Sequence, residues 1–306
     1  MRSTVMRLPL TMLAVALIAV PAHASELTGT LQKVKETNKI ILGIQEASVP
    51  FSYLDGNQKA IGYAVDICMK IVDAVKHELN LSNVTVETLP VTSSNRIPLM
   101  MNGTVDLVCS STTNNAERQR QVTFTNSHFL SATRFAARKA DNIGTIDQLK
   151  GKPVVAISGS TNMVQLNQAN AARNLGVTPL AAKDQAEAFL MLETGRAAAY
   201  VLDDVQLAVA IARSKDPSAY IISDEAFSKA EPYGIMLRKD DAPFKAVADR
   251  VTADLYRSPE IEAIYKKWFE SPVPPNGLNF KTPMTAVLRN AYAHPSDSPD
   301  PASYER

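Results

Sequence analysis

From residue 40 onward the chain alternates short runs of β-forming residues with longer segments whose apolar side chains recur every three to four positions, and this alternation constrains the fold most. The runs are 40–44, 84–89, 107–109, 154–157 and 198–202. Between them, 63–79 sets Val65, Ile67, Met69, Ile71, Val72 and Val75 in one stripe, and 95–101 and 184–194 show the same spacing. Strands that return after each amphipathic helix require helices layered on a sheet, so the expected class is α/β. Asn102-Gly103 and Gly195 supply helix ends just before the next apolar run.

A chain of 306 residues exceeds one domain of ordinary size, and two are expected. Lys+Arg 32 against Asp+Glu 31 gives a net charge of +1 with no basic cluster, which removes nucleic acid from the expected partners. Residues 1–24 are of a different kind. Arg2 and Arg7 precede an uncharged stretch, 8–20, and Ala22-His23-Ala24 has the small-x-small pattern that signal peptidase cleaves. They read as a signal peptide, so the expected location is the periplasm. The stretch is shorter than the roughly 20 apolar residues that span a bilayer, and no Cys near the cleavage site offers a lipid attachment point.

An oxidising compartment permits one disulfide between Cys68 and Cys109, yet both sit in apolar contexts that suit buried thiols equally well. His23, His77, His128 and His294 are isolated, and no HxxxH, HExxH or CxxC spacing occurs, so neither a metal nor a cofactor is expected. The segment 271–277 breaks the helix that carries Tyr265, Trp268 and Phe269. From about 294 the prolines at 295, 299 and 301 lie among small polar residues, a composition that predicts a disordered tail.

Residues 102–125 (NGTVDLVCSSTTNNAERQRQVTFT) carry a resemblance, joined by Val49-Pro-Phe-Ser-Tyr53, Gly62-Tyr63, Thr92-Ser-Ser-Asn-Arg-Ile-Pro98, Ser111-Thr-Thr-Asn-Asn115 and Gly234-Ile-Met-Leu-Arg-Lys-Asp-Asp241. In that order and spacing they resemble the extracellular solute-binding proteins of amino-acid ABC importers (family 3), and most of all the periplasmic glutamate/aspartate-binding group, over nearly all of 30–280. The resemblance implies a type II periplasmic-binding-protein fold, two α/β lobes joined by a two-strand hinge. Lobe 1 would comprise 25–131 and 233–306 and lobe 2 132–232, with crossings near 131–134 and 231–234. Ligand would lie in the cleft between them.

A free amino acid is a zwitterion, so a site that removes it from water must replace the hydration of both charges. Arg118 can grip a carboxylate with two parallel N–H bonds, and the resemblance gives it the α-carboxylate, with Ser111 and Thr113 on the polar turn before it. Ser160 and Thr161 follow the run 154–157 and open a helix, which suits both an N-cap and an anion contact. Asp203 is expected to take the ammonium, with Asp204 as the competing carboxylate. Arg96 and Ser93 are expected at the ligand's side chain. Gln45 and Gln185 stand where acidic-amino-acid binders of this kind carry basic residues, which should relax discrimination against glutamine and asparagine. Phe51 is expected to flank the ligand's methylenes, whereas Tyr53 is assigned to the core.

The resulting expectation is a monomeric binding protein without catalytic residues, whose partners are a free L-amino acid, glutamate or aspartate first, and an inner-membrane ABC permease. Glutamine, asparagine or a broad range of polar amino acids is the alternative. An exported enzyme of dehydratase type on the same scaffold is the alternative of another class, although no Ser/His/Asp or Cys/His motif supports it. A sensing ectodomain would require a transmembrane helix and a signalling domain, and the sequence shows neither.

Overall fold

In a computed structural model, which describes residues 27–305, the alternating pattern becomes two five-stranded sheets. The first has the order Thr85–Pro90, Lys39–Ile44, Leu107–Cys109, Met236–Arg238, Val122–Phe124, with the first three parallel and Met236–Arg238 antiparallel to its neighbours. The second runs Thr178–Ala182, Pro153–Ile157, Ala199–Asp203, Thr133–Arg138, Tyr220–Ile222, again with three parallel strands and then an antiparallel one. The expected signal peptide lies outside the described residues, among which no helix is long and apolar enough to cross a membrane.

Both faces of each sheet are covered, which explains why the central strands read as unbroken apolar runs. In Pro153–Ile157 the residues alternate sides. Val154 and Ala156 pack with Leu166 of the helix Thr161–Ala172, while Val155 and Ile157 pack with Met191 and Leu192 of the helix Gln185–Glu193. The first sheet follows the same plan, with the helix Tyr63–Glu78 against Leu42 and Ile44 on one face and Met100 against Val108 and Val122 on the other. Several strands that the hydrophobic pattern did not reveal are polar or lie at edges, whereas Met236–Arg238 is buried inside its sheet and only three residues long. Thr133–Arg138 carries two arginines, and Thr178–Ala182 is largely exposed along its sheet edge.

The chain leaves the first sheet through Phe129–Ser131 and returns through Glu231–Tyr233. These two segments pair antiparallel, Phe129 opposite Tyr233 and Ser131 opposite Glu231. Cys68 and Cys109 are disulfide-bonded, with Cα atoms 6.1 Å apart, so the pairing left open by the sequence is made. The bond ties the helix Tyr63–Glu78 to the strand Leu107–Cys109.

The expectation of disorder from about residue 294 is corrected. After the helix Ala286–Ala293 the tail docks on the first lobe: Ser127 donates its N–H to the Ser296 carbonyl (2.8 Å), Lys245 pairs with Asp297 (2.8 Å), and the buried Tyr304 hydroxyl lies 2.8 Å from Ser127 Oγ. A polar composition hid this because the anchors are one aromatic side chain and backbone carbonyls.

Removing the disulfide by Cys68→Ala with Cys109→Ala is expected to lower stability by up to about 4 kcal/mol, since the bond closes a loop with a sequence separation of 41. Chemical denaturation of oxidised parent and variant checks this. His128 is fully buried among the rings of Phe51, Tyr63 and Tyr233, and that desolvation pulls its pKa down to about 3. The unfolded chain binds this proton near pH 6.5 and the folded chain does not, so stability is retained above about pH 6.5 and lost as pH falls toward 3. His128→Leu is expected to flatten that part of the stability–pH curve, measured by urea denaturation at a series of pH values.

Candidate functional site

The expected site residues collect at one end of both sheets. Gln45 follows Lys39–Ile44, Ser93 and Arg96 follow Thr85–Pro90, and Ser111 and Thr113 follow Leu107–Cys109. In the second sheet Ser160 and Thr161 follow Pro153–Ile157, Gln185 follows Thr178–Ala182, and Asp203 ends its own strand. All lie at the C-terminal ends of parallel strands, where α/β sheets leave room for ligands because the chain turns away into helices there. The two C-terminal edges face each other. Gln45, Ser93, Arg96, Ser111, Thr113, Ser160, Thr161, Gln185 and Asp203 line one cavity, together with Ile157, Asn162, Leu202 and Gln206.

The lobes are closed on this cavity and leave about 20 Å³, less than an amino acid fills, so entry requires them to separate. Thr113 and Thr161 join their hydroxyls across the cleft at 3.1 Å, and Ser94 Oγ donates to the Ser158 carbonyl at 3.0 Å. Gly159 makes the approach possible. Its φ is +74°, and a Cβ there would stand 2.7 Å from Ser94 Cα.

The electrostatics of the cavity are asymmetric. Arg96 is 3% exposed; it donates to Thr112 Oγ1 at 3.1 Å, and its Nε has no partner. Arg118, 7% exposed, donates to the Thr113 carbonyl at 2.8 Å and reaches across to the Gly159 carbonyl at 3.4 Å. Among the described residues neither guanidinium forms an ion pair. Burial pulls both below the usual arginine range; for Arg96 the Arg118 charge adds to this and Asp203 opposes it, while for Arg118 the charge of Glu231 opposes it first and that of Asp203 next. Both groups remain cations at neutral pH.

Asp203, 4% exposed, accepts from Asn162 Nδ2 at 2.8 Å and Thr133 Oγ1 at 3.2 Å, and the Tyr233 hydroxyl donates to its other oxygen. Burial raises its pKa while these donors hold it down. Asp204, the competing carboxylate, is outside the cavity: it accepts from Ser131 Oγ at 2.5 Å and lies 3.8 Å from Arg134.

Three expectations need adjustment. Phe51 is corrected: it is fully buried in an aromatic cluster, 5.0 Å from the Phe129 ring and 5.5 Å from that of Tyr233, because a ring of this size packs better in the first lobe's core than beside a polar cavity. Arg118 is beside the cavity wall, with its guanidinium on backbone carbonyls. Ser160 spends its hydroxyl as a cap, accepting from the Met163 N–H at 3.1 Å and donating to the Ile157 carbonyl at 2.7 Å. Gln206, Asn162 and Tyr233 went unnoticed in the sequence. Gln206 lies three residues after Asp203, on the same face of a first helical turn, a spacing that could have flagged it. Nothing local marks Tyr233, whose role depends on the hinge.

A larger groove of about 530 Å³ also lies between the lobes and shares Gln185 with the cavity, against Phe189, Leu190, Tyr53 and Arg213. It contains neither guanidinium nor Asp203 and is not the site favoured by charge. No cluster of metal-binding side chains occurs among the described residues.

Two α/β lobes closing on a polar, charged cavity at a two-strand hinge define a type II periplasmic binding protein. The chain belongs to the bacterial extracellular solute-binding proteins, family 3, whose model matches residues 40–271. It is 47% identical over 288 residues to the L-glutamate/L-aspartate-binding protein of Pseudomonas aeruginosa, covering 94% of this chain and 95% of that one. It is 41% identical over 289 residues to the glutamate/aspartate import solute-binding protein of Escherichia coli, covering 93% and 95%. Among solved structures, an ancestral arginine-binding protein bound to arginine superposes with a TM-score of 0.68 at 26% identity, covering 76% of this chain and 98% of that one. These relatives are binding proteins rather than enzymes.

Gly159→Ala introduces both a strained backbone and a contact between lobes. It is expected to hold the cleft open and so increase the radius of gyration in small-angle X-ray scattering, with little change in thermal midpoint.

Proposed function

We propose that this chain is the periplasmic binding component of an amino-acid ABC importer and that it holds L-glutamate or L-aspartate between its lobes. The observation that carries the reading is Arg96, which lines the cavity, is buried without an ion pair among the described residues and keeps an unpartnered Nε, in the same cavity as the carboxylate Asp203. A buried cation without a counter-charge costs several kcal/mol, and a ligand side-chain carboxylate supplies that counter-charge where a neutral side chain does not. Arg118, whose charge Glu231 and Asp203 offset, offers donors for the α-carboxylate that all amino acids share. In this reading Arg118, Ser111, Thr113, Ser160 and Thr161 surround the α-carboxylate, Asp203 takes the ammonium, and Arg96 with Ser93 meets the side-chain carboxylate. The ligands named for the Pseudomonas aeruginosa and Escherichia coli relatives support the same class.

The reading extends to a monomer exported by a signal peptide at 1–24, with lobe 1 at 25–131 and 233–306 and lobe 2 at 132–232. Closure would present to the permease a surface that the open form lacks. Glutamine is the second reading, favoured by one observation: Gln45 Oε1 is buried without a partner and could accept from a ligand amide.

Isothermal titration calorimetry on protein unfolded and refolded to remove carried ligand separates the two. L-Glutamate and L-aspartate are expected to bind more tightly than L-glutamine, and the reverse order overturns the acidic reading. Arg96→Met should weaken L-glutamate about 10- to 150-fold while changing L-glutamine by only a few-fold, because a bond to a charged acceptor contributes roughly 1.5 to 3 kcal/mol. Arg118→Lys should weaken every amino acid by a similar factor, since it removes a two-pronged grip on the group they share.

A further inference from the structure

We infer that Asn114 and Gln119 are positioning residues which, clamped by the C-terminal tail, fix Thr113 and Arg118 for the ligand's α-carboxylate, so that the tail sets affinity for every amino acid the cavity accepts. The inference deepens the reading above and rests on its placement of Arg118. Asn114 is fully buried and Gln119 partly so, and each directly follows one of those two residues, Asn114 after Thr113 and Gln119 after Arg118. Their amides meet on a single atom of the tail. Asn114 Nδ2 donates to the Asp297 carbonyl at 2.8 Å, Gln119 Nε2 donates to it at 3.0 Å, and Gln119 Nε2 also donates to Asn114 Oδ1 at 2.9 Å. The tail lies beyond residues 40–271, the part of the chain that matches the family.

The direction of these bonds is fixed by chemistry. A carbonyl oxygen only accepts, so both amides must turn their nitrogens to Asp297, and Asn114 is left with its oxygen to take the second Gln119 hydrogen. The resulting triangle joins the two ends of the loop 114–119. Within that loop the Arg118 guanidinium donates to the Thr113 carbonyl at 2.8 Å, and the Arg118 N–H donates to Asn115 Oδ1 at 2.9 Å. Asp297 is held in turn. Its carboxylate pairs with Lys245 at 2.8 Å, and the neighbouring Ser296 carbonyl accepts from the Ser127 N–H at 2.8 Å and lies 3.0 Å from the buried Tyr304 hydroxyl. None of these bonds crosses the cleft, so the clamp persists when the lobes separate. An arginine already held at the right distance from Thr113 loses less freedom when a carboxylate arrives, and that saving appears as affinity. Because every amino acid carries the α-carboxylate, the gain is shared by all of them.

The test is titration calorimetry of the full chain freed of carried ligand, with L-glutamate and L-glutamine, on the parent, Gln119→Met, Arg118→Lys and the double variant. Gln119→Met keeps the side chain's length, loses both donors and lies outside the cavity. It should weaken both ligands by the same factor, about fivefold, the size expected when ordinary hydrogen bonds that hold a binding group are lost. In the Arg118→Lys background the same change should cost at most about twofold, because the group that the clamp positions is already gone. A merely structural role would carry its full loss into both backgrounds. Tyr304→Ala strips the tail of its buried anchor without touching the loop, should weaken both ligands equally, and supplies the comparison if Gln119→Met does not fold. No loss in Gln119→Met or in Tyr304→Ala, a loss confined to one ligand, or an undiminished loss in the Arg118→Lys background overturns the inference. Arg118→Lys without effect on either ligand instead ends the placement of Arg118 at the α-carboxylate, whatever Gln119 does.

Discussion

Two guanidinium groups buried without carboxylate partners are an unusual thing for a folded chain to tolerate, and much of this structure serves to hold them. Arg118 is held by the carbonyl of Thr113 in its own lobe and approaches that of Gly159 in the other; Arg96 has one hydroxyl acceptor and an Nε with none. Backbone carbonyls can soften the loss of water but cannot neutralise a charge. Arg96 therefore keeps an unanswered donor in the cavity that Asp203 also lines, while Glu231 and Asp203 offset the charge of Arg118 beside it. Separated cation and anion in one cavity tie together the site's position between two sheet edges and its polarity.

The frame beneath the site couples hinge to ligand groups. Tyr233 belongs to the returning hinge strand, bridges to Thr113, and donates its hydroxyl to Asp203. The Asn114 N–H donates to the Pro232 carbonyl, and the Gly234 N–H donates to that of Thr112. The turn that precedes Arg118 is thus an extra rung on the hinge. The docked tail supports the same turn from the other side, where Asn114 and Gln119 both donate to the Asp297 carbonyl at 2.8 Å and 3.0 Å. Rotation about the hinge cannot proceed without moving groups that contact the cavity, a physical basis for linking closure to occupancy.

The glutamines show that residue type alone does not say what a side chain offers a ligand. By substitution type, exchanging basic groups for amides at Gln45 and Gln185 should weaken selection for acids. In the folded protein the Gln185 amide contacts Ser48, which Gln206 also meets. The amides of Gln185 and Gln206 form part of the bond network between the lobes.

Local sequence alone determined the layered α/β class, because strands covered on both faces leave apolar runs such as 154–157 and the helix beside them leaves a periodic stripe. Linear motifs also located most of the cavity wall, since the ends of parallel strands fall where those runs stop. Only the tertiary structure decided the rest. Phe51 went to the core because five aromatic rings converge there from distant segments, Tyr233 reached Asp203 across a hinge, and the tail found Ser127 through carbonyls that no composition reveals. The disulfide, the Gly159 contact and the reach of Gln206 to Ser48 and Ser111 belong to the same group. Each depends on distances between residues far apart in the chain, and periodicity carries information only about neighbours.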